Sequence, residues 1–268
     1  MSKCASFTEG EFYEVHFDSR AYVKNYYTCP RGQFLENFRS FVLRSFSRIF
    51  STGEHIGQRL IDVGSGPNIH SVLSACQHYD EIVLSDFVDN NRREIEKWLQ
   101  NQDGCIDWTA VVQYVCELEG KSPSDLEALL RQRVKKVLKC DVRLENPFYP
   151  HTLEPADCVI TSLCLEGACK DIQAYRHALH GLTKLLRPGG LLVMIGVLGE
   201  TFYKVNEQSF SCLTLSQCDI EEALRGAGFS IHEFNMLPVV EDPKSNSVSD
   251  FEAVFDLVAY KSSGLQTK

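Results

Sequence analysis

The chain has 268 residues, 44% hydrophobic and 24% charged, with 27 Lys+Arg against 36 Asp+Glu for a formal net charge of −9. The length suits one large domain or two small ones with a full core, and the composition argues against disorder. The acidic balance lacks the basic field of most nucleic-acid and anionic-membrane binders. No stretch has signal-peptide form or approaches the ~20 apolar residues that span a bilayer, so a cytoplasmic protein without nucleic acid or membrane as partner is expected.

Phe34, Phe38, Phe41, Phe46 and Ile49 recur at helical intervals and predict an amphipathic helix ending near Phe50. Residues 59–63 read as a buried strand, stopped at Gly64-Ser65-Gly66-Pro67, with Asn68 placed to cap a helix through His78. A second strand over 81–85 ends at Asp86. Helical patterns follow at 90–100, 108–118 and 125–134, with Gly120 and Pro123 separating the last two. Apolar runs end at Cys140-Asp141-Val142 and at Ser162, before a helix over 171–186, the turn Arg187-Pro188-Gly189-Gly190 and a strand over 191–197. The tail adds a strand at 210–213, a helix at 220–227 and strands at 229–234 and 253–260, with a polar loop over 242–250. Alternating strands and helices imply a parallel sheet covered on both faces, whose last two strands pair antiparallel.

Eleven cysteines are scattered without a C-x-x-C pair, and Cys76, Cys116, Cys140, Cys158 and Cys164 sit in apolar runs. That is the pattern of reduced core thiols rather than a disulfide frame, and Cys158, Cys164 and Cys169 lack metal-ligand spacing, so no metal is expected.

Ligands of open α/β sheets bind beyond the carboxyl ends of the strands, where the Gly64-Ser65-Gly66 turn stands. Asp86, 22 residues beyond Gly64 at the end of the second strand, is placed to accept both hydroxyls of an adenosine ribose. A dinucleotide fingerprint would put a small residue at 69 and leave the helix start open to pyrophosphate. Ile69 and Pro67 argue against that, and favour S-adenosyl-L-methionine, a ligand without phosphates. Asp141 at the third strand end suits the adenine amino group, while Asp62 either orders the glycine loop or meets the methionine ammonium.

Leu60-Ile61-Asp62-Val63-Gly64-Ser65-Gly66-Pro67, Glu96-Lys97-Trp98-Leu99, Lys139-Cys140-Asp141-Val142 and Arg187-Pro188-Gly189-Gly190, with Arg20-Ala21-Tyr22 and Tyr26-Tyr27, span most of the chain. Together they resemble the small-amine methyltransferases that include the phenylethanolamine, nicotinamide and indolethylamine N-methyltransferases. The resemblance implies a Rossmann-like class I methyltransferase fold: α/β, a seven-stranded mostly parallel sheet with an antiparallel last strand, in a single domain over 1–268 whose residues 1–52 form a helical lid. It further implies a monomer acting on a small-molecule amine. Carried over by position, the implied cofactor contacts are Tyr22, Tyr27, Gly64, Ser65, Gly66, His70, Asp86, Asn91, Asp141, Val142 and Ser162. The family usually has Tyr where this chain has His70. A sulfonium cation would give the tyrosine rings an electrostatic role.

Glu166 and Glu200 match two glutamates that hold the substrate amine in the phenylethanolamine enzymes. An alkyl ammonium resembling that of lysine loses its proton only near pH ~10.4, yet only the neutral amine can attack a methyl group. Paired carboxylates attract the cation, orient its nitrogen and receive its proton. Nicotinamide needs no base, and its methylating relatives have an aspartate where this chain has Gly196 and a serine where it has Cys212. The expected acceptor is therefore an aryl-ethylamine, with Phe202 and Tyr203 as ring contacts, Tyr203 joining Glu166 and Glu200 as the catalytic set. Transfer is expected as an in-line displacement in a closed, water-poor pocket. A nicotinamide or pyridine methyltransferase and a catalytically silent cofactor-binding protein are the alternatives, ahead of a dinucleotide dehydrogenase. Asn146-Pro147-Phe148-Tyr149 echoes a nucleic-acid methyltransferase signature but precedes the strand it should follow, and Arg131, Arg133, Lys135 and Lys136 read as one solvated helix face.

Overall fold

The computed structural model describes residues 7–240 and 248–263. Seven strands form one sheet: β1 (Gly57–Val63), β2 (Tyr79–Asp86), β3 (Val134–Lys139), β4 (Ala156–Ser162), β5 (Leu186–Leu198), β8 (Phe229–Pro238) and β9 (Ala253–Lys261), in the order β3-β2-β1-β4-β5-β9-β8. The first five run parallel and β9 is antiparallel to both β5 and β8, the Rossmann-like arrangement expected. Two small strands, β6 (Phe202–Val205) and β7 (Gln208–Ser211), make a separate hairpin.

Apolar strands buried on both faces explain the continuous hydrophobic runs. Leu60, Ile82, Leu84 and Ile160 face one layer, with α3 (Gly32–Ser51), α6 (Thr109–Glu119) and α7 (Pro123–Arg133). Ile61, Val63, Val83 and Val159 face the other, with α9 (Ile172–Leu185) and α10 (Gln217–Gly226). The stripe on α3 buries Phe38, Val42, Leu43, Phe46, Ile49 and Phe50, each contributing roughly 1.5–3 kcal/mol of apolar burial.

Ahead of α3, two short helices, α1 (Gly10–His16) and α2 (Ser19–Val23), and a π-helical turn at Lys24–Thr28 cover the carboxyl ends of the strands. Arg20 ties α2 to Glu94 on α5 (Asp89–Leu99) at 2.7 Å, and Asp18 caps α2 through the Arg20 and Ala21 N–H groups. Strand order reverses between β1 and β4, so the crevice beyond their ends is the topological switch point where open α/β sheets bind ligands.

Several expectations need correction. Asn68 does not cap a helix through His78: its amide donates to Ser65 O, bracing the turn, and only α4 (His70–Leu73) follows. The strand expected at 210–213 is β7, outside the main sheet, where Phe210 is buried against the cover. Strand β5 starts before its glycines, which form an irregularity opposite Ala156 and Cys158. The basic run is not one helix face, since Arg131 and Arg133 end α7 while Lys135 and Lys136 lie on β3. Most of the 242–250 loop lies outside the described residues. The segment from Asn146 precedes β4, as read from the sequence, with Phe148 buried and Pro147 O accepting from Asp141 N. Cys76, Cys116, Cys140, Cys158 and Cys169 are buried free thiols. Among the described residues, no helix is long and apolar enough to cross a membrane.

Candidate functional site

At the exit of β1 the chain turns through Gly64 with φ +74° and Gly66 with φ +61°, in the left-handed region. A Cβ on Gly64 would lie 2.1 Å from Cys164 Sγ, so the close approach of the β4 exit requires glycine as much as the backbone angle does. Ser65 turns back into the sheet, its N–H donating to Ser85 O at 2.8 Å and its hydroxyl to Asp62 O. Asp62 is buried, accepts from Ser71 Oγ at 2.5 Å, and is pushed up to about 7 by burial. It is absent from the cavity wall, and its Oδ1 is buried with no hydrogen-bond partner among the described residues.

The main cavity, of about 160 Å³, opens over the switch point. At one end Asp86 accepts from Gly66 N (2.8 Å), Val88 N (2.9 Å) and Asn91 Nδ2 (2.9 Å). Burial nonetheless holds its carboxyl above the usual range. Asn91 in turn accepts from Ser19 Oγ at 2.6 Å, which links the helical cover to Asp86. Asp141 and Val142 stand beside them. Burial raises the Asp141 carboxyl, but the Nε and Nη2 donors of Arg143, at 2.9 and 2.8 Å on its two oxygens, bring it below the usual range. Arg143 also lies over the Phe87 ring, 5.1 Å from its centre.

The other end is walled by Tyr22, Tyr26, Tyr203 and Tyr13, with Glu166 and Glu200 among them. Glu166 lies in the first turn of the short helix α8 (Leu165–Ala168) that follows β4, and Glu200 follows β5, so adjacent strands deliver both carboxylates to one cavity. Burial pushes Glu166 up to about 8, with repulsion from Glu200 adding to it, and Glu200 up to about 7. Glu200 Oε1 accepts from Ser249 Oγ at 2.6 Å. Glu166 Oε1, Ser162 Oγ and Asn68 Oδ1 are buried at this cavity and find no hydrogen-bond partner among the described residues. Buried polar atoms without partners carry a desolvation cost, and a polar ligand with its own donors and acceptors would relieve it.

Of the residues expected from the sequence, Tyr22, Gly64, Gly66, Asp86, Asn91, Asp141, Val142, Ser162, Glu166, Glu200 and Tyr203 are brought together on the cavity wall. Ser65, Tyr27 and His70 stand behind it. His70 is buried and stacks on Tyr27 with ring centres 4.2 Å apart, and burial pulls its imidazole down to about 3, so it is neutral. Phe202 is also off the wall, because successive side chains of a strand point to opposite faces and Tyr203 takes the cavity side of β6. Nothing local in the sequence marks Tyr13 or Ser249, which reach the site from the amino-terminal cover and from the residues before β9, while Tyr26, part of the Tyr26-Tyr27 pair of the resemblance but not carried over as a contact, also lines the wall. Arg143 had one signal, its place two residues after Asp141.

The NNMT/PNMT/TEMT family model matches residues 5–262. The chain is 43% identical over 261 residues to indolethylamine N-methyltransferase of Oryctolagus cuniculus, covering 96% of this chain and 98% of that one. It is 40% identical over 260 residues to nicotinamide N-methyltransferase of Sus scrofa, covering 96% and 97%. The same fold occurs in the solved magnesium protoporphyrin IX methyltransferase (ChlM) from Synechocystis PCC 6803 with bound SAM, at TM-score 0.60 and 13% identity over 97% of this chain and 100% of that one. The chain therefore belongs to the NNMT/PNMT/TEMT family of S-adenosylmethionine-dependent N-methyltransferases.

Proposed function

We propose that the protein methylates the nitrogen of a small amine of the aryl-ethylamine type. The observation that carries this reading is the pair of buried carboxylates, Glu166 and Glu200, inside one tyrosine-walled cavity, with Glu166 Oε1 lacking a partner. S-adenosylmethionine supplies the methyl group. Asp86, fixed by three donors, is placed for the ribose hydroxyls, and Asp141 and Val142 for the adenine edge. Asn68 Oδ1 and Ser162 Oγ remain for the polar methionine end.

At the acceptor end the two glutamates hold the ammonium and take its proton, directly or through water. Their raised affinities for a proton make them better bases than an exposed glutamate. The rings of Tyr22, Tyr26 and Tyr203 exclude water and favour a cation. The resemblance places an aspartate at position 196 in nicotinamide-methylating relatives. Here a Cβ on Gly196 would lie 2.7 Å from the Phe255 ring and 3.4 Å from Glu166 Oε1, which speaks against an acidic amide-binding side chain at this point.

The test is a methylation panel with labelled S-adenosylmethionine, comparing tryptamine and a phenylethanolamine with nicotinamide. Higher kcat/KM on the aryl-ethylamines is expected; preference for nicotinamide would overturn the acceptor assignment.

A further inference from the structure

We infer that Ser249 is a positioning residue of the acceptor site: by donating its hydroxyl to one oxygen of Glu200 it makes Glu200, rather than Glu166, the standing anion that draws in the amine. The inference rests on the reading that these two glutamates manage the amine.

Ser249 is 1% exposed, lines the cavity, and places Oγ 2.6 Å from Glu200 Oε1. The Phe251 N–H donates to the same Oγ at 3.4 Å, which engages its acceptor side and leaves the hydroxyl proton for Glu200. A donor aimed at a carboxyl oxygen favours the ionised form. Glu166 Oε1 has no hydrogen-bond partner among the described residues, and only the backbone N–H groups of Glu166 and Val197 favour its ionised form, whereas at Glu200 the Ser249 hydroxyl acts together with the Cys212 thiol; the two carboxylates of one cavity are therefore inequivalent before any ligand arrives.

The strap carrying Ser249 is itself fixed. Val248 O accepts from Lys204 N at 2.8 Å, Ser249 bridges to Tyr203, and Asp250 accepts from the Thr201 and Phe202 N–H groups. One segment therefore holds both the Glu200 carboxyl and the backbone at Tyr203.

The titratable groups facing Glu200 are Glu166 after β4, Cys212 after β7, Asp250 on the strap, Tyr203 on β6, Tyr13 on α1, and Tyr22 and Tyr26 in the cover. Burial raises Cys212 and all four tyrosines, so they keep their protons across the range in which the glutamates titrate.

The experiment measures kcat/KM for the best amine of the panel from pH 6 to 9 in the wild type, Ser249→Ala, Ser249→Thr, Glu200→Gln and the Ser249→Ala/Glu200→Gln double variant, with S-adenosylhomocysteine affinity by calorimetry as the second readout. Ser249→Ala should move the acidic limb to higher pH, losing about 10-fold at pH 7 and less at pH 9, with S-adenosylhomocysteine affinity unchanged. Ser249→Thr should restore the limb, and in the Glu200→Gln background Ser249→Ala should cost less than about 2-fold. A pH-independent loss, an unmoved limb or full additivity, with Glu200→Gln itself severely impaired, overturns the role of Ser249 alone. Full activity of Glu200→Gln overturns the underlying reading and this inference with it. If Ser249→Ala does not fold, Ser249→Cys, whose thiol donates weakly, replaces it and should shift the limb by a smaller amount.

Discussion

The two ends of the cavity treat their carboxylates in opposite ways. At the glycine-turn end Asp86 has three donors and Asp141 is clamped by Arg143, so both are held rigid by the protein itself. At the tyrosine-walled end Glu200 has Ser249, and Glu166 Oε1 is buried with no partner among the described residues. A satisfied carboxylate is a fixed template for neutral hydroxyl and amino groups. An unsatisfied one is costly until a cation arrives, and that cost becomes selectivity for the cation.

The strongest way to break this contrast is Glu166→Gln with Glu200→Gln. Amine turnover should fall by about 10³-fold while S-adenosylhomocysteine affinity, measured calorimetrically, stays nearly the same. A comparable loss of cofactor affinity would mean that the two ends are not separable.

Gly64→Ala attacks the template end through its backbone. The φ of +74° and the approach of Cys164 Sγ predict a loss of about 2–5 kcal/mol in urea unfolding. Asp86→Ala should weaken S-adenosylhomocysteine by roughly 10–100-fold, about 1.4–2.8 kcal/mol, with little change in amine KM at saturating cofactor.

The smallest expected effect concerns pH. Glu166 at about 8 and Glu200 at about 7 bind protons more tightly folded than unfolded. Their contribution to stability is therefore present in full below the unfolded carboxylate range near ~4 and is lost as pH rises through 7 to 8. The melting temperature should fall from pH 5 to pH 8, and Glu166→Gln should flatten that decline by several degrees. An identical decline in this variant would show that Glu166 does not carry the strain.

The template end was legible in the chain because its parts are local: a glycine turn and aspartates at successive strand ends, each read from a short run such as 60–67 or 139–142. The alternating elements likewise announced the parallel sheet. The acceptor end is built from seven separated places, namely α1, α2, the π-helical turn, α8, the exit of β5, the β6–β7 hairpin and Ser249, and only the resemblance singled out Glu166 and Glu200. His70 shows the limit in the other direction. A position carried over as a cofactor contact lies behind the wall and stacks on Tyr27, and its imidazole is neutral because burial disfavours its charge.

The sequence by itself determined the elements, the glycine turn and the aspartates that follow its strands, since these depend on periodicity, turn chemistry and short spacing. Only the tertiary structure decided which buried groups share a cavity, which of them find donors and which are left wanting one. Those outcomes depend on contacts between residues such as Glu200 and Ser249, 49 positions apart, and no local pattern encodes them.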